Sequence, residues 1–459
     1  MRRIILTLIL AVATPALADG VSPIQRLVTA HDAFMASLPA KLGPQPWALR
    51  DPAPGVSRSA QLVAYDDAIA SARAWSVRAD ASDLVPRKGL WIRPYSGDLS
   101  DLDILKVMDD AQSLGITDLF VETFWGGKLI FPGNPTFPDR YPGVDLLKAY
   151  VREGHRRGIR VHAWLHTLNF GPAWAAAHPD TLVKDGFGDT SGEVEKGSDT
   201  VSPALPEVKV ELDRIVDELA SHSVDGVMLD YLRYPTRMKG DDIDSTPDPR
   251  NFFGYNARQL ALMEQRHPEL DTPAFQNFLE TGVPAVESDR QADLDQFKQS
   301  LSEDLTGLID NIKAAIHGRM LLDAAYFPDY YFHENDTRVQ ESAEWANRFN
   351  LLSPMCYEFY LDDYPAPYGT YTIWRALRIA DDTVAQLPAA QRPLLMPSFT
   401  AEAPGTPMAS PYHHQTLRAQ VAFLKGLLFD RTFPEVGGVA YFSYGWIFPA
   451  FEAVRKATG

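Results

Sequence analysis

The stretch Asp225-Gly226-Val227-Met228-Leu229-Asp230-Tyr231-Leu232-Arg233-Tyr234-Pro235 decides the fold. Val227 and Leu229 alternate with Met228 and Asp230, so a strand over 226–231 turns one apolar pair toward covering helices and carries Asp230 inward at its carboxyl end. The run over 160–167 repeats the pattern, with Val161, Ala163 and Leu165 on one face and His162, Trp164 and His166 on the other. By the same parity, 118–124 points Phe120, Glu122 and Phe124 inward, and 90–95 points Trp91, Arg93 and Tyr95 inward. Further runs over 320–327, 351–357, 394–399 and 438–444 bring the number of strands to eight. Helical spacing over 102–114, 144–157, 205–221, 305–316 and 416–428 lies between them. Strands alternating with helices make a parallel sheet, and eight units closing on themselves leave no exposed edge. The expected class is therefore α/β, a (β/α)8 TIM barrel over 86–459 whose active site lies at the carboxyl ends of its strands. Residues 236–302 read as a helical insertion after the fourth strand, with amphipathic pieces at 256–266 and 272–279, placed over that mouth. Asp, Pro and Gly across 241–254 leave a separate small domain as the alternative.

The chain has 459 residues, of which 45% are hydrophobic and 22% charged, the composition of a packed protein. Its 43 basic residues face 60 acidic ones, a formal charge of -17 that disfavours nucleic acid and places neutral or cationic substrates first. Arg2 and Arg3, the apolar run over 4–12 and Ala16-Leu17-Ala18 form the pattern of a cleavable signal peptide over 1–18. The expected location is periplasmic or secreted, with no membrane anchor after signal removal. A helical extension is expected over 19–85, where 24–38 and 60–77 have helical spacing around a Pro/Gly-rich connector at 43–55. Cys356 is the only cysteine, so an intramolecular disulfide and a thiolate zinc cluster are both excluded.

Four consecutive strands thus deliver polar and aromatic groups to one mouth. Later strand ends add Asp323 and Asp329, then Tyr357 and Glu358 after Ser353-Pro354-Met355-Cys356, and finally Tyr441, Tyr444 and Trp446. Carboxylates ringed by aromatic rings and an arginine suit glycoside cleavage. One acid protonates the leaving oxygen, a second carboxylate attacks or activates water, and flat rings stack on sugar faces. Each residue also has a structural reading. Asp230 could pair with Arg93 or Arg233, Glu122 could orient Arg93, Glu358 could cap, and His162 could be a satisfied core histidine. Trp125, Trp164 and Trp446 stand between core and sugar platform, His166 reads as a substrate contact, and Asp323, in mid-strand, reads as structural.

The segments Gly89-Leu90-Trp91-Ile92-Arg93, Phe120-Val121-Glu122, Val161-His162-Ala163-Trp164, Ser202-Pro203-Ala204-Leu205-Pro206-Glu207-Val208 and the opening 225–235 stretch resemble the glycosyl hydrolase-like 10 domain family. Gly438-Val439-Ala440-Tyr441-Phe442-Ser443-Tyr444 is similar to that family's closing strand. The resemblance implies an exported bacterial barrel glycosidase, a role for Asp230 after the fourth strand, and roles for His162 and Trp164 on the third. The chain departs from it at two points. Tyr231 stands where many members carry a second acid, and Met355-Cys356-Tyr357-Glu358 stands where a Gln-containing run is usual.

The sequence therefore predicts an exported glycoside hydrolase acting on a poly- or oligosaccharide. Glu358 is the expected general acid and Asp230 the nucleophile or base, kept ionised by Arg93 or Arg233, with Glu122 in reserve as a carboxylate. Trp91, Arg93, Trp125, His162, Trp164, His166, Arg233, Tyr234, Tyr357, Tyr444 and Trp446 are the expected substrate contacts. No metal or organic cofactor is required by this chemistry. Two rival readings are a metal-dependent polysaccharide deacetylase using His162, His166 and Asp230 as ligands, and a carbohydrate-binding barrel without catalysis.

Overall fold

The computed structural model describes residues 87–94, 101–195, 197–236, 248–327, 337–356, 368–400 and 433–444. The signal peptide, the 19–85 extension, the 416–428 helix and Tyr95, Asp329, Tyr357, Glu358 and Trp446 fall outside the described residues.

The strands are β1 (Arg87–Ile92), β2 (Asp118–Trp125), β3 (Lys128–Leu129), β4 (Arg160–His166), β5 (Gly226–Asp230), β6 (Leu321–Tyr326), β7 (Leu351–Pro354), β8 (Leu394–Leu395), β9 (Ser398–Thr400) and β10 (Gly438–Phe442). Apart from β3, which forms an antiparallel hairpin with β2, they pair in parallel in the order β8-β7-β6-β5-β4-β2-β1-β10-β9. The two ends of that order are halves of one strand interrupted at Met396-Pro397. On one side it pairs with the β7 region (Leu351 with Leu394, Met355 with Ser398), and on the other with the β10 region (Leu395 with Val436, Ser398 with Ala440). The Met396 amide donates to Leu352 O at 2.8 Å, and the Gly437 amide to Leu395 O at 3.0 Å. The sheet closes through this strand, so eight parallel strands make the expected barrel.

Helices α1 (Asp101–Ser113), α2 (Leu146–Arg156), α3 (Pro206–Ser221), α4 (Ala257–Arg266), α5 (Pro273–Thr281), α6 (Arg290–Ile316) and α7 (Tyr368–Ala385) lie between strands. Pro206 opens α3, where its missing N–H costs nothing, and Val208, Leu212, Ile215, Val216 and Leu219 form its buried stripe. Asn256 caps α4 by accepting from the Arg258 and Gln259 amides. The insertion is helical as expected, and Met263, Phe275, Phe278 and Phe297 join the buried cluster that also backs the barrel strands. No boundary falls at 302, because Leu294, Phe297, Leu301, Leu305, Leu308 and Ile312 continue one buried stripe along α6. The helix expected over 305–316 is the second half of this longer one. Among the described residues, no helix is long and apolar enough to cross a membrane.

Parity separates two buried layers. Trp91, Phe120, Trp164, Met228, Ala325, Met396 and Ala440 pack inside the barrel, whereas Val161, Ala163, Leu165, Val227 and Leu229 pack under the helices. Phe124 breaks the expected alternation. The β2–β4 register passes from Glu122 opposite Trp164 to Phe124 opposite Leu165, so Thr123 bulges. Phe124 thereby turns outward onto Phe137 and Phe170, at ring-centroid distances of 4.9 and 5.8 Å.

Candidate active site at the carboxyl mouth

The barrel floor is a charge network built around one histidine. Asp118 accepts hydrogen bonds from Arg87 and Arg160, and His162 Nε2 lies 3.0 Å from its Oδ1. His162 Nδ1 lies 2.6 Å from Asp323 Oδ2, so both ring nitrogens are engaged. Burial works against the His162 charge, but the two carboxylates outweigh it and raise the imidazole to about 9. Burial likewise opposes the Asp118 charge, yet His162, Arg87 and Arg160 hold its carboxyl far below the ordinary range. Burial pushes Asp323 up against the pull of His162. Gly226 makes room for the histidine, since a Cβ there would stand 2.3 Å from His162 Nδ1.

The mouth is built differently. Asp230 ends β5 and is 8% exposed. Its Oδ2 accepts from Trp164 Nε1 at 2.9 Å and its Oδ1 from the Tyr231 amide at 2.7 Å. No arginine pairs with it among the described residues, contrary to expectation. Arg93 lies 3.3 Å from Glu122 Oε1, and Arg233 donates to Tyr234 O at 3.1 Å. Two donors thus fix the Asp230 carboxylate without neutralising it.

Glu122 is buried, which opposes its charge, but Arg93, His166 and Arg140 prevail and hold its carboxyl below the ordinary range. His166 Nε2 is 3.1 Å from Glu122 Oε1 without hydrogen-bond alignment, and His166 Nδ1 has no hydrogen-bond partner among the described residues. The His166 ring stacks on Tyr231 with centroids 4.3 Å apart and planes at 20°. The loop after β4 adds Asn169 Oδ1 and Glu195 Oε2, also buried without hydrogen-bond partners among the described residues. Glu195 Oε1 stands 3.8 Å from Arg233 Nη2.

Of the expected contacts, the structure brings Arg93, Trp125, His166 and Arg233 to this mouth with Asp230 and Glu122. Trp125 is 42% exposed, with the Arg140 guanidinium 4.3 Å from its ring centroid and His166 at 6.3 Å. Four expected contacts are buried elsewhere, and a fifth, Trp164, is buried directly beneath Asp230. Trp91 fills the barrel and donates to Ser398 Oγ at 2.9 Å. Trp164, also interior, spends its indole N–H on Asp230. His162 belongs to the floor. Tyr234 is drawn into the insertion, where its hydroxyl accepts from Gln259 Nε2 at 2.7 Å. Tyr444 points to α1 and donates to Asp110 Oδ2 at 2.7 Å. The metal reading loses its ligand set, because both nitrogens of His162 are committed to carboxylates at the far end from Asp230.

Arg140, Asn169 and Glu195 escaped the sequence reading. For Arg140 a signal existed: Gly126-Gly127 between Trp125 and Lys128 marks a two-residue hairpin turn, with φ of +55° and +69°. That hairpin carries the chain back under Trp125.

No family model matches the chain. Glycosyl hydrolase DigH of Escherichia coli (strain K12) is 26% identical over 166 residues, 32% of this chain and 37% of that protein. Glycosyl hydrolase YngK of Bacillus subtilis (strain 168) is 21% identical over 200 residues, 38% of this chain and 34% of that protein. The chain thus spans about a third of the length of the curated relatives it matches. Among solved structures, the PgaB (BpsB) glycoside hydrolase domain from Bordetella bronchiseptica superposes with a TM-score of 0.55 at 16% identity, covering 81% of this chain and 99% of that one. The catalytic domain of β-amylase from Paenibacillus polymyxa gives a TM-score of 0.52 at 13% identity, covering 78% and 92%. The fold is that of barrel glycoside hydrolases.

Proposed function

We propose that this protein is an exported glycoside hydrolase of the glycosyl hydrolase-like 10 kind, cleaving a poly- or oligosaccharide at the carboxyl mouth of the barrel. The observation that carries the reading is Asp230: a carboxylate at a barrel strand's carboxyl end, oriented through both oxygens and paired with no cation among the described residues. Names shared by the relatives agree with it. In the reaction the anomeric carbon–oxygen bond breaks and the leaving oxygen takes a proton from a general acid. Asp230 either attacks the anomeric carbon or removes a proton from the water that does. Glu358, four residues beyond the end of β7 in sequence, is the general acid of this proposal. Glu122, held ionised by Arg93 and His166, is unsuited to donate a proton and stabilises developing positive charge instead. Arg93, Trp125, His166 and Arg233 supply substrate contacts, and the signal peptide sends the chain to the periplasm or medium.

The test is a glycan panel read by product mass, with the mature protein and Asp230→Asn in parallel. Wild type releases defined fragments. Asp230→Asn lowers turnover by about 10³-fold or more at an unchanged unfolding midpoint. Near-normal cleavage by the variant overturns the assignment, and sugar binding without any fragment release overturns the enzymatic reading.

A further inference from the structure

Trp125 differs from the other tryptophans of the barrel strands. Trp91 and Trp164 are 1% exposed and fill the interior, whereas Trp125 ends β2 at the mouth and is 42% exposed. The bulge at Thr123 sends Phe124 outward, so Trp125, the next residue, turns back toward the mouth.

The exposed indole is clamped. The Arg140 guanidinium lies over its ring, 4.3 Å from the centroid, and also donates to the carbonyl oxygen of Trp125 itself. One planar group thus grips the ring and the backbone of the same residue, which ties the ring to its own main chain. Arg140 is fixed in turn, because the segment that carries it runs beside β3. The Leu129 amide donates to Pro138 O at 3.2 Å and the Arg140 amide to Leu129 O at 2.6 Å. The hairpin tip is pinned as well. A Cβ at Gly127 would stand 2.1 Å from Phe170 O, and one at Gly171 2.3 Å from the Gly126 carbonyl carbon, so tip and β4 loop meet backbone to backbone.

This ring lies to one side of the reacting carboxylate. His166 is its neighbour, with centroids 6.3 Å apart and planes at 56°, and does not stack on it. Beyond His166 comes Trp164, 5.4 Å away, whose indole N–H holds Asp230. β4 lies between β2 and β5, which separates their backbones by about 10 Å.

We propose that Trp125 is the stacking platform of the sugar subsite beside the one at Asp230, and that Arg140 is the positioning residue that holds it. The inference rests on the hydrolase reading and adds to it a site for a second sugar ring. Because the indole is already fixed, a sugar stacks on it with little ordering cost. That gain is the same in the ground state and the transition state, so it appears in KM and not in kcat.

The experiment compares the wild type with Trp125→Ala, Trp125→Phe and Arg140→Lys in the full chain, by steady-state kinetics on a glycan that the wild type cleaves. Trp125→Ala raises KM about 10-fold with kcat within about 2-fold, and Trp125→Phe, which keeps a flat ring, raises it about 3-fold. Arg140→Lys keeps the charge near Glu122 but lacks the planar clamp, and raises KM about 3- to 5-fold at unchanged kcat. A loss of kcat at unchanged KM in Trp125→Ala moves the indole into the reacting subsite and overturns the proposal. Wild-type KM in Arg140→Lys overturns the positioning role, as does a loss confined to kcat, which would mean that Arg140 acts through Glu122. Should no glycan of the panel be cleaved, the hydrolase reading falls by itself, and calorimetric titration of the same glycans decides the platform. An affinity about 10-fold weaker in Trp125→Ala supports it; an affinity that the change leaves alone, or no binding at all, overturns it.

Discussion

His162 and His166 stand on the same inward face of β4, four residues apart, and live in opposite circumstances. At the floor, His162 is flanked by Asp118 and Asp323, and Arg87 and Arg160 complete the charge balance around Asp118. Both ring nitrogens of His162 have a carboxylate oxygen at hydrogen-bonding distance, and of the two carboxylates only Asp323 Oδ1 lacks a hydrogen-bond partner among the described residues. At the mouth, His166 has one skewed contact to Glu122 and an unengaged Nδ1. The difference teaches that residue type and parity bring a group to the barrel interior, whereas the degree of saturation marks its role. An imidazole held between two carboxylates ties strands together, and one with an unengaged nitrogen can meet a substrate.

The strongest way to break this contrast is His162→Ala. Removing the imidazole leaves Asp118 and Asp323 buried without the cation between them, at a cost of roughly 3–5 kcal/mol in denaturant unfolding. Cleavage per folded molecule stays at the wild-type level. A stable variant that has lost its activity would place His162 in the working site and erase the distinction.

Glu122→Gln probes the other end. Turnover falls by about 10- to 100-fold at saturating substrate, with less loss of stability than His162→Ala causes. Equal damage to both properties would make the mouth as structural as the floor.

Acidity gives the mildest test. A histidine whose folded-state value is raised from 6.5 to about 9 contributes stability that is complete below about pH 6.5 and is lost as the pH rises through 9. The unfolding midpoint of the wild type should fall across that window, and that part of the slope should vanish in His162→Ala. Asp118 works with the opposite sign: its lowered carboxyl adds stability above its ordinary value of 3.8, lost on acidification. A midpoint flat from pH 6.5 to 9 would mean that the floor is not charged as described.

Much of this contrast could be read from sequence because the aliphatic residues under the helices alternate with polar and aromatic ones that face the interior. The runs ending at Asp230 and His166 gave the inward side chains of β5 and β4 correctly. Depth along the barrel is a different matter, and parity does not encode it. Trp91 and Trp164 point inward as read, but they fill the interior below the mouth, and His162 lies on the floor. Phe124 departs from the alternation because one bulged residue, Thr123, reverses the phase of everything after it. Tyr234 and Tyr444 lie beyond strand ends, where long-range partners, Gln259 and Asp110, decide where each side chain goes. Helix α7 is not among the expected helices; it lies just past the aromatic and proline-rich run after β7.

The seam of the barrel sets an order of events. β1 lies between β2 and β10, and the indole of Trp91 bonds to Ser398, 307 positions later in the chain. The strands near β1 in sequence can pair with one another early, but the ring has no closure until β10 is in place beside β1. Contacts of such separation slow folding. An open, unfinished sheet therefore precedes the closed ring, however early the other strands pair.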